Sequence, residues 1–136
     1  MNPPVGQRSS RRRKAIFAVI RDAEGPLTVD EIHGRARKKI PRLGIATVYR
    51  AVKLFLEGGR IRNVLLPDGE TRYEASGREH HFHFRCEQCV RVFCLPSCPL
   101  ERVAGRILPR GFQASKHALT IFGTCPECAA RRAGPA

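Results

Sequence analysis

The chain has 136 residues, room for one ordinary domain or two small ones, and a formal net charge of +13. No stretch is long and apolar enough to span a bilayer, and the basic amino terminus runs into the mixed segment 15–20 rather than a signal-peptide core, so no membrane partner and a cytosolic location are expected. Residues 1–72 hold 16 Lys/Arg against 7 Asp/Glu and residues 73–136 hold 9 against 5, a first-half surplus that fits phosphate attraction by a nucleic-acid binder, an anionic surface or plain solubility.

From the amino end, residues 11–20 place Ile16, Phe17, Val19 and Ile20 on one helical face, with Arg11, Arg12, Arg13 and Lys14 crowding the entry. Positive charge there opposes the helix macrodipole, which a nearby phosphate would relieve; a solvated flexible arm fits the same residues. In Leu27-Thr28-Val29-Asp30-Glu31-Ile32, Thr28 and Glu31 have capping-box spacing, and Leu27 and Ile32 have hydrophobic-staple spacing. A second helix is therefore predicted from about Val29 to near Lys39, because Pro41 disfavours helical geometry at Ile40.

The run Ile45 to Glu57 collects Val48, Ala51, Val52 and Phe55 on one face and leaves Ala46, Arg50, Lys53 and Glu57 opposite, with Tyr49 at the border. Gly58 and Gly59 close it. Two helices joined by a short turn fit a helix-turn-helix whose second member enters the major groove, or an αα-hairpin of some other fold. The β-rich runs Ile61 to Leu66 and Thr71 to Glu74, split by the turn Pro67-Asp68-Gly69-Glu70, favour the first, because helix, helix, helix, hairpin is the order of a winged helix. On this reading Arg13, Lys14, Thr47, Tyr49, Arg50 and Lys53 are the candidate contacts to double-stranded DNA.

All six cysteines lie after residue 85, four of them in the pairs Cys86-x-x-Cys89 and Cys125-x-x-Cys128. In a reducing compartment such pairs suggest metal ligation or redox chemistry more than disulfides. If the chain folds back, the four thiolates form the closed tetrahedral shell of structural zinc; no thioredoxin-like βαβ pattern surrounds either pair to support a redox role. Pro126 suits a tight knuckle.

Residues 79–84 read as a strand, which sends His81 and His83 to one face and His80, Phe82 and Phe84 to the other. Between the cysteine pairs, Val90 to Leu95 reads as a strand, Leu100 to Leu108 as an amphipathic helix with Pro99 near its start, and His117 to Phe122 as a final strand. Apolar residues are too few there for comfortable independence, so a homodimer paired through strand edges is expected, and two-fold symmetry suits a palindromic operator. The fold class expected is α+β, with a winged helix-turn-helix over 1–76 and a small α/β dimerisation domain with structural zinc over 77–136.

With these motifs in order, the chain resembles the ferric uptake regulator family. The resemblance rests on Gly44-Ile45-Ala46-Thr47-Val48-Tyr49-Arg50, followed by His80-His81-Phe82-His83, Cys86-x-x-Cys89, and His117 ahead of Cys125-x-x-Cys128. It implies a homodimeric, non-enzymatic repressor that binds a metal corepressor and closes on a palindromic operator. By position it implies structural zinc at Cys86, Cys89, Cys125 and Cys128, and a sensory site of Glu74, His81, His83 and Cys94 for a second zinc or other divalent metal. It also implies an additional site of His80, Glu101 and His117, and base contacts by Tyr49.

Pro26 and Cys94 depart from the histidine and the acidic ligand common among iron- and peroxide-type members, and Phe82 replaces a ligand of the additional site. Losing a histidine and gaining a thiolate moves the sensory shell toward soft, four-coordinate geometry, which favours the zinc-uptake branch over iron, manganese or peroxide responders. Cys98 fits an extra ligand, a redox thiol or a small apolar filler. Two other classes compete. Cys125-Pro126-Glu127-Cys128 resembles a zinc-deaminase segment, but the required His-x-Glu partner is absent from the chain. A zinc-ribbon RNA binder would need a stacking platform that the aromatics do not form.

Overall fold

Apolar spacing of 3 and 4 residues forms three helices in the first part of the chain: α1 (Val5–Asp22), α2 (Val29–Ala36) and α3 (Ile45–Glu57), followed by the hairpin β1 (Ile61–Leu65) and β2 (Thr71–Ala75). The computed structural model describes residues 5–67, 69–77, 81–103 and 105–133, and divides into the units Met1–Gly77 and Arg78–Ala136. Ile16, Ile20, Ile32, Val48, Val52 and Phe55 bury the shared face of the three helices. Phe17 meets Phe55 edge-on at 5.4 Å, and the Arg60 guanidinium covers Phe17 at 3.9 Å, sealing the rim. None of the described helices is long and apolar enough to cross a membrane.

The start of α2 follows from its sequence. Thr28 Oγ1 accepts from the Glu31 amide, and Glu31 Oε1 accepts from the Thr28 amide, each at 3.1 Å. Two boundaries differ from expectation. α1 reaches back to Val5, so its arginines sit on a formed helix rather than a flexible arm. α2 ends at Ala36 rather than near Lys39, because the amides of Lys38 and Lys39 turn to the carbonyls three residues back, a tighter winding than the α-helix.

One buried cation ties the hairpin to α2. Arg72 on β2 is 3% exposed; its Nη1 donates to Glu31 Oε1 at 2.7 Å and to the Pro26 carbonyl at 3.2 Å, and its Nε pairs with Glu70. The same Glu31 oxygen therefore caps the helix and neutralises the wing. Beside it, Leu27 and Tyr73 exchange backbone bonds of 3.0 and 2.8 Å.

The second unit is built from β3 (His81–Cys86), β4 (Val92–Pro96), α4 (Leu100–Val103), β5 (Thr120–Gly123) and α5 (Pro126–Ala133). Its sheet has the order β4-β3-β5, antiparallel on one side of β3 and parallel on the other. Parallel pairing brings the carboxyl ends of β3 and β5 together, where Cys86 lies opposite Gly123. A Cβ on Gly123 would lie 3.1 Å from the Phe84 ring, so glycine permits this close approach.

Several expected elements change here. The strand expected from Val90 begins at Val92, because Val90 takes φ +64°, a left-handed conformation incompatible with a strand. The helix expected to Leu108 is described only over Leu100–Val103, and residues 105–108 form exposed turns instead. The last strand begins at Thr120 rather than His117. Pro126 occupies the first position of α5, where its fixed φ and missing N–H suit a helix start rather than only a knuckle.

Replacing Arg72 by Met should leave the Glu31 and Glu70 carboxylates without their shared cation. Both are partly exposed, so the expected loss is about 2 kcal/mol rather than the larger cost of a fully buried pair. Hydrogen exchange should show it locally: protection falls at the Leu27 and Tyr73 amides and is unchanged in β3.

Candidate metal centres

Cys86 closes β3, Cys89 follows in the next turn, and Cys125 and Cys128 lie just after β5 and in the first turns of α5. The sheet topology alone thus gathers both pairs at one end. Their four Sγ atoms lie within 4.8 Å of one another, three of the residues are buried, and the apolar cluster around them consists of Phe84 and Phe93. Four converging sulfurs in a small core fit a divalent cation that accepts tetrahedral thiolate ligation.

The protein prepares these sulfurs unequally. Amides of Cys89 and Cys125 point at Cys86 Sγ from 3.5 and 3.4 Å and bring its pKa down to about 6. Cys89 is also lowered, first by the Arg91 side chain, whose Nε lies 3.4 Å from its sulfur. Burial, followed by the neighbouring thiols, pushes Cys128 up to about 12. A bound cation would offset the crowding of negative charge that four thiolates create there.

Arg91 was not singled out from the sequence, yet it is the charged group most closely engaged with this set. Besides Cys89, its Nη2 lies 3.9 Å from Cys125 Sγ and 2.6 Å from Glu127 Oε2, and the guanidinium sits 5.2 Å from the Phe93 ring centre. Four thiolates around a doubly charged cation would carry a net charge of −2, half of which the single positive charge of Arg91 would offset. Its position two residues after Cys89 was the available signal.

A second donor set lies on the face of the sheet. Register places His83 directly opposite Cys94, and strand alternation puts His81 on the same face. The His81 and His83 rings meet edge-on at 4.9 Å, and the donor atoms of His81, His83 and Cys94 lie within 4.8 Å of one another. Glu74, on β2 of the first unit, is 2% exposed and accepts from Arg62 Nε at 2.9 Å.

Of the additional set, His80 lies outside the described residues, as does the side chain of Glu101. His117 Nε2 stands 3.5 Å from the Sγ of buried Cys98. This pair sits at the end of the sheet away from the four cysteines, since Cys98 follows antiparallel β4 and His117 precedes β5.

The six candidate DNA residues lie on α1 and α3. Arg13 and Lys14 are exposed and line one basin with Arg21 and Arg60. Tyr49 is 56% exposed, Arg50 and Lys53 are exposed, and Arg50 Nη2 donates to half-buried Thr47 Oγ1 at 3.2 Å. His33 braces the preceding turn, its Nε2 lying 2.7 Å from the Leu43 carbonyl.

Residues 4–122 match the sequence model of the Ferric uptake regulator family. The chain is 34% identical over 119 residues to the ferric uptake regulation protein of Rhizobium leguminosarum bv. viciae, covering 87% of this chain and 84% of that one. It is 28% identical over 125 residues to the zinc uptake regulation protein of Mycobacterium tuberculosis (strain ATCC 25618 / H37Rv), covering 91% and 96%. Among solved structures, a zinc-bound manganese uptake regulator superposes with a TM-score of 0.75 at 30% identity, over 90% of this chain and 99% of that chain.

Arg91 gives the cysteine set a specific test. Arg91→Met should surrender its cysteine-bound metal to a chelator about tenfold faster than wild type, with Arg91→Lys intermediate because it keeps charge but not the fork. Stopped-flow metal transfer at matched secondary structure would measure this.

Proposed function

The chain belongs to the ferric uptake regulator family, and from that premise we propose that it is a zinc-dependent transcriptional repressor that binds palindromic operator DNA as a homodimer. The observation that carries the metal assignment is the clustering of two imidazoles and a thiol, from His81, His83 and Cys94, on one sheet face. Iron(II) and manganese are served by oxygen and nitrogen donors, whereas a thiolate with imidazoles suits four-coordinate zinc. Buried Glu74, from the wing strand, is the proposed fourth sensory ligand, and a second Zn2+ at Cys86, Cys89, Cys125 and Cys128 is proposed as structural. The zinc uptake relative is in keeping with this choice, although the ferric uptake relative is the more identical of the two, so the choice of metal rests on the donor chemistry.

In this reading residues 1–76 are the DNA-binding domain and 77–136 the metal-binding dimerisation domain, acting in the cytoplasm. The exposed Tyr49, Arg50 and Lys53 of α3, with Arg13 and Lys14 of α1, meet the duplex. Strand β5 is an edge of its sheet and carries exposed Ile121 and Phe122, which suits self-pairing about a two-fold axis. His80, Glu101 and His117 are retained as a proposed additional metal set. Sensory metal acts by binding the operator-competent arrangement more tightly than others, so its ligands must come from both domains.

His81→Ala should keep one zinc per chain and remain dimeric while losing zinc-dependent operator binding by a factor in the range of about 5 to 150. Fluorescence anisotropy against zinc activity, with metal content and sedimentation in parallel, checks this; unchanged zinc dependence contradicts the sensory assignment. Cys94→Ser should weaken the response to zinc more than that to manganese. Tyr49→Ala should reduce the preference for operator over scrambled duplex while leaving metal content unchanged.

A further inference from the structure

Each strand of the wing carries an arginine that meets an acid, and the two pairs differ. Arg72 on β2 is buried, and Glu31 and Glu70 both answer its charge. Arg62 on β1 stands directly opposite Glu74 in the hairpin register, and its Nε donates to Glu74 Oε1 at 2.9 Å. The Arg62 side chain is 46% exposed and that of Glu74 2%, so a guanidinium reaches in from solvent to a carboxylate that water hardly touches.

A buried carboxylate is costly unless cations or hydrogen-bond donors meet it, and Arg62 supplies both a charge and a donor. On the sensory reading above, Glu74 is also the metal ligand of the wing. The two roles oppose each other. An oxygen that already accepts from a guanidinium is a poorer donor to a metal, and a divalent cation drawn to the same carboxylate meets a like charge beside it. Exposure of Arg62 weakens that repulsion through solvent screening but leaves the direct bond to Glu74 in place.

Resting on that sensory assignment, we infer that Arg62 is the residue that sets the metal threshold of the sensory site. It acts through Glu74 as a built-in competitor, holding zinc affinity below what the donor set would otherwise reach, and it touches no metal itself. A sensor responds only where its site is partly filled, so a competitor on the protein places the response at a higher free-metal level.

The test is chelator competition for zinc by the full chain with its cysteine site already filled and no DNA present, which keeps operator contacts out of the measurement. Arg62→Gln should bind sensory zinc about tenfold tighter than wild type, toward the lower end of coupling between sites because the guanidinium is half-exposed. Arg62→Met should do the same, and Arg62→Lys, which keeps the charge, should remain near wild type. The advantage of Arg62→Gln should shrink as salt is raised. It should vanish on a Glu74→Gln background. Arg35→Gln, which removes an exposed charge from α2, should leave zinc affinity unchanged.

Unchanged or weaker zinc binding by Arg62→Gln and Arg62→Met at matched secondary structure overturns the proposal; weaker binding would make Arg62 a brace for Glu74 instead. A tightening that survives Glu74→Gln, or that Arg35→Gln reproduces, also overturns it, since net charge alone would then be responsible. If Glu74→Gln by itself leaves sensory zinc affinity unaltered, the sensory reading of Glu74 falls together with this proposal. If Glu74→Gln weakens zinc binding while the Arg62 variants match wild type, this proposal alone falls.

Discussion

The carboxyl-terminal unit has sulfur where a larger domain would have hydrocarbon. Its buried cluster is formed by Cys86, Cys125 and Cys128, with Phe84, Cys89 and Phe93 packed against them. Four thiols held within 4.8 Å carry a conflict: amide donors and Arg91 draw Cys86 and Cys89 toward the thiolate, while burial holds the proton on Cys128. A divalent cation would resolve it, and folding of so small a core would then be linked to metal affinity. The sheet depends on this closure, since the carboxyl ends of β3 and β5 and the start of α5 all converge there.

Topology sorts the remaining chemistry. Because β3 has a parallel neighbour on one side and an antiparallel neighbour on the other, the strand ends separate the four cysteines from the Cys98–His117 pair. The face between them holds His81, His83 and Cys94, placed by register and alternation rather than by any loop. Donors on paired strands keep their spacing when one side chain is changed. The proposed regulatory metal would thereby be separable from the proposed structural site of the four cysteines.

What was legible in the sequence was local or periodic. The capping box of Thr28 and Glu31, the apolar stripe of α3, the hairpin turn and the alternation of His81 and His83 each follow from a rule acting over a few residues. What was not legible depended on distant partners. Arg72 looks like one more basic residue until Glu31, 41 positions earlier, is brought beside it. Arg91 becomes meaningful only when Cys125 and Glu127 arrive from the other end of the unit. The helix expected beyond Val103 failed because amphipathic spacing measures compatibility with a helix, whereas Ile107, 66% exposed, finds no surface to bury against among the described residues.

Regulation in this account is thermodynamic linkage: metal and operator favour the same arrangement of the protein, so each must strengthen the binding of the other by an equal factor. The most direct measurement is the affinity of the sensory site for zinc, by chelator competition on protein whose cysteine site is already filled, with and without saturating operator duplex. The account predicts that operator tightens zinc binding by the same factor by which zinc tightens operator binding. Zinc affinity indifferent to the presence of operator would contradict it.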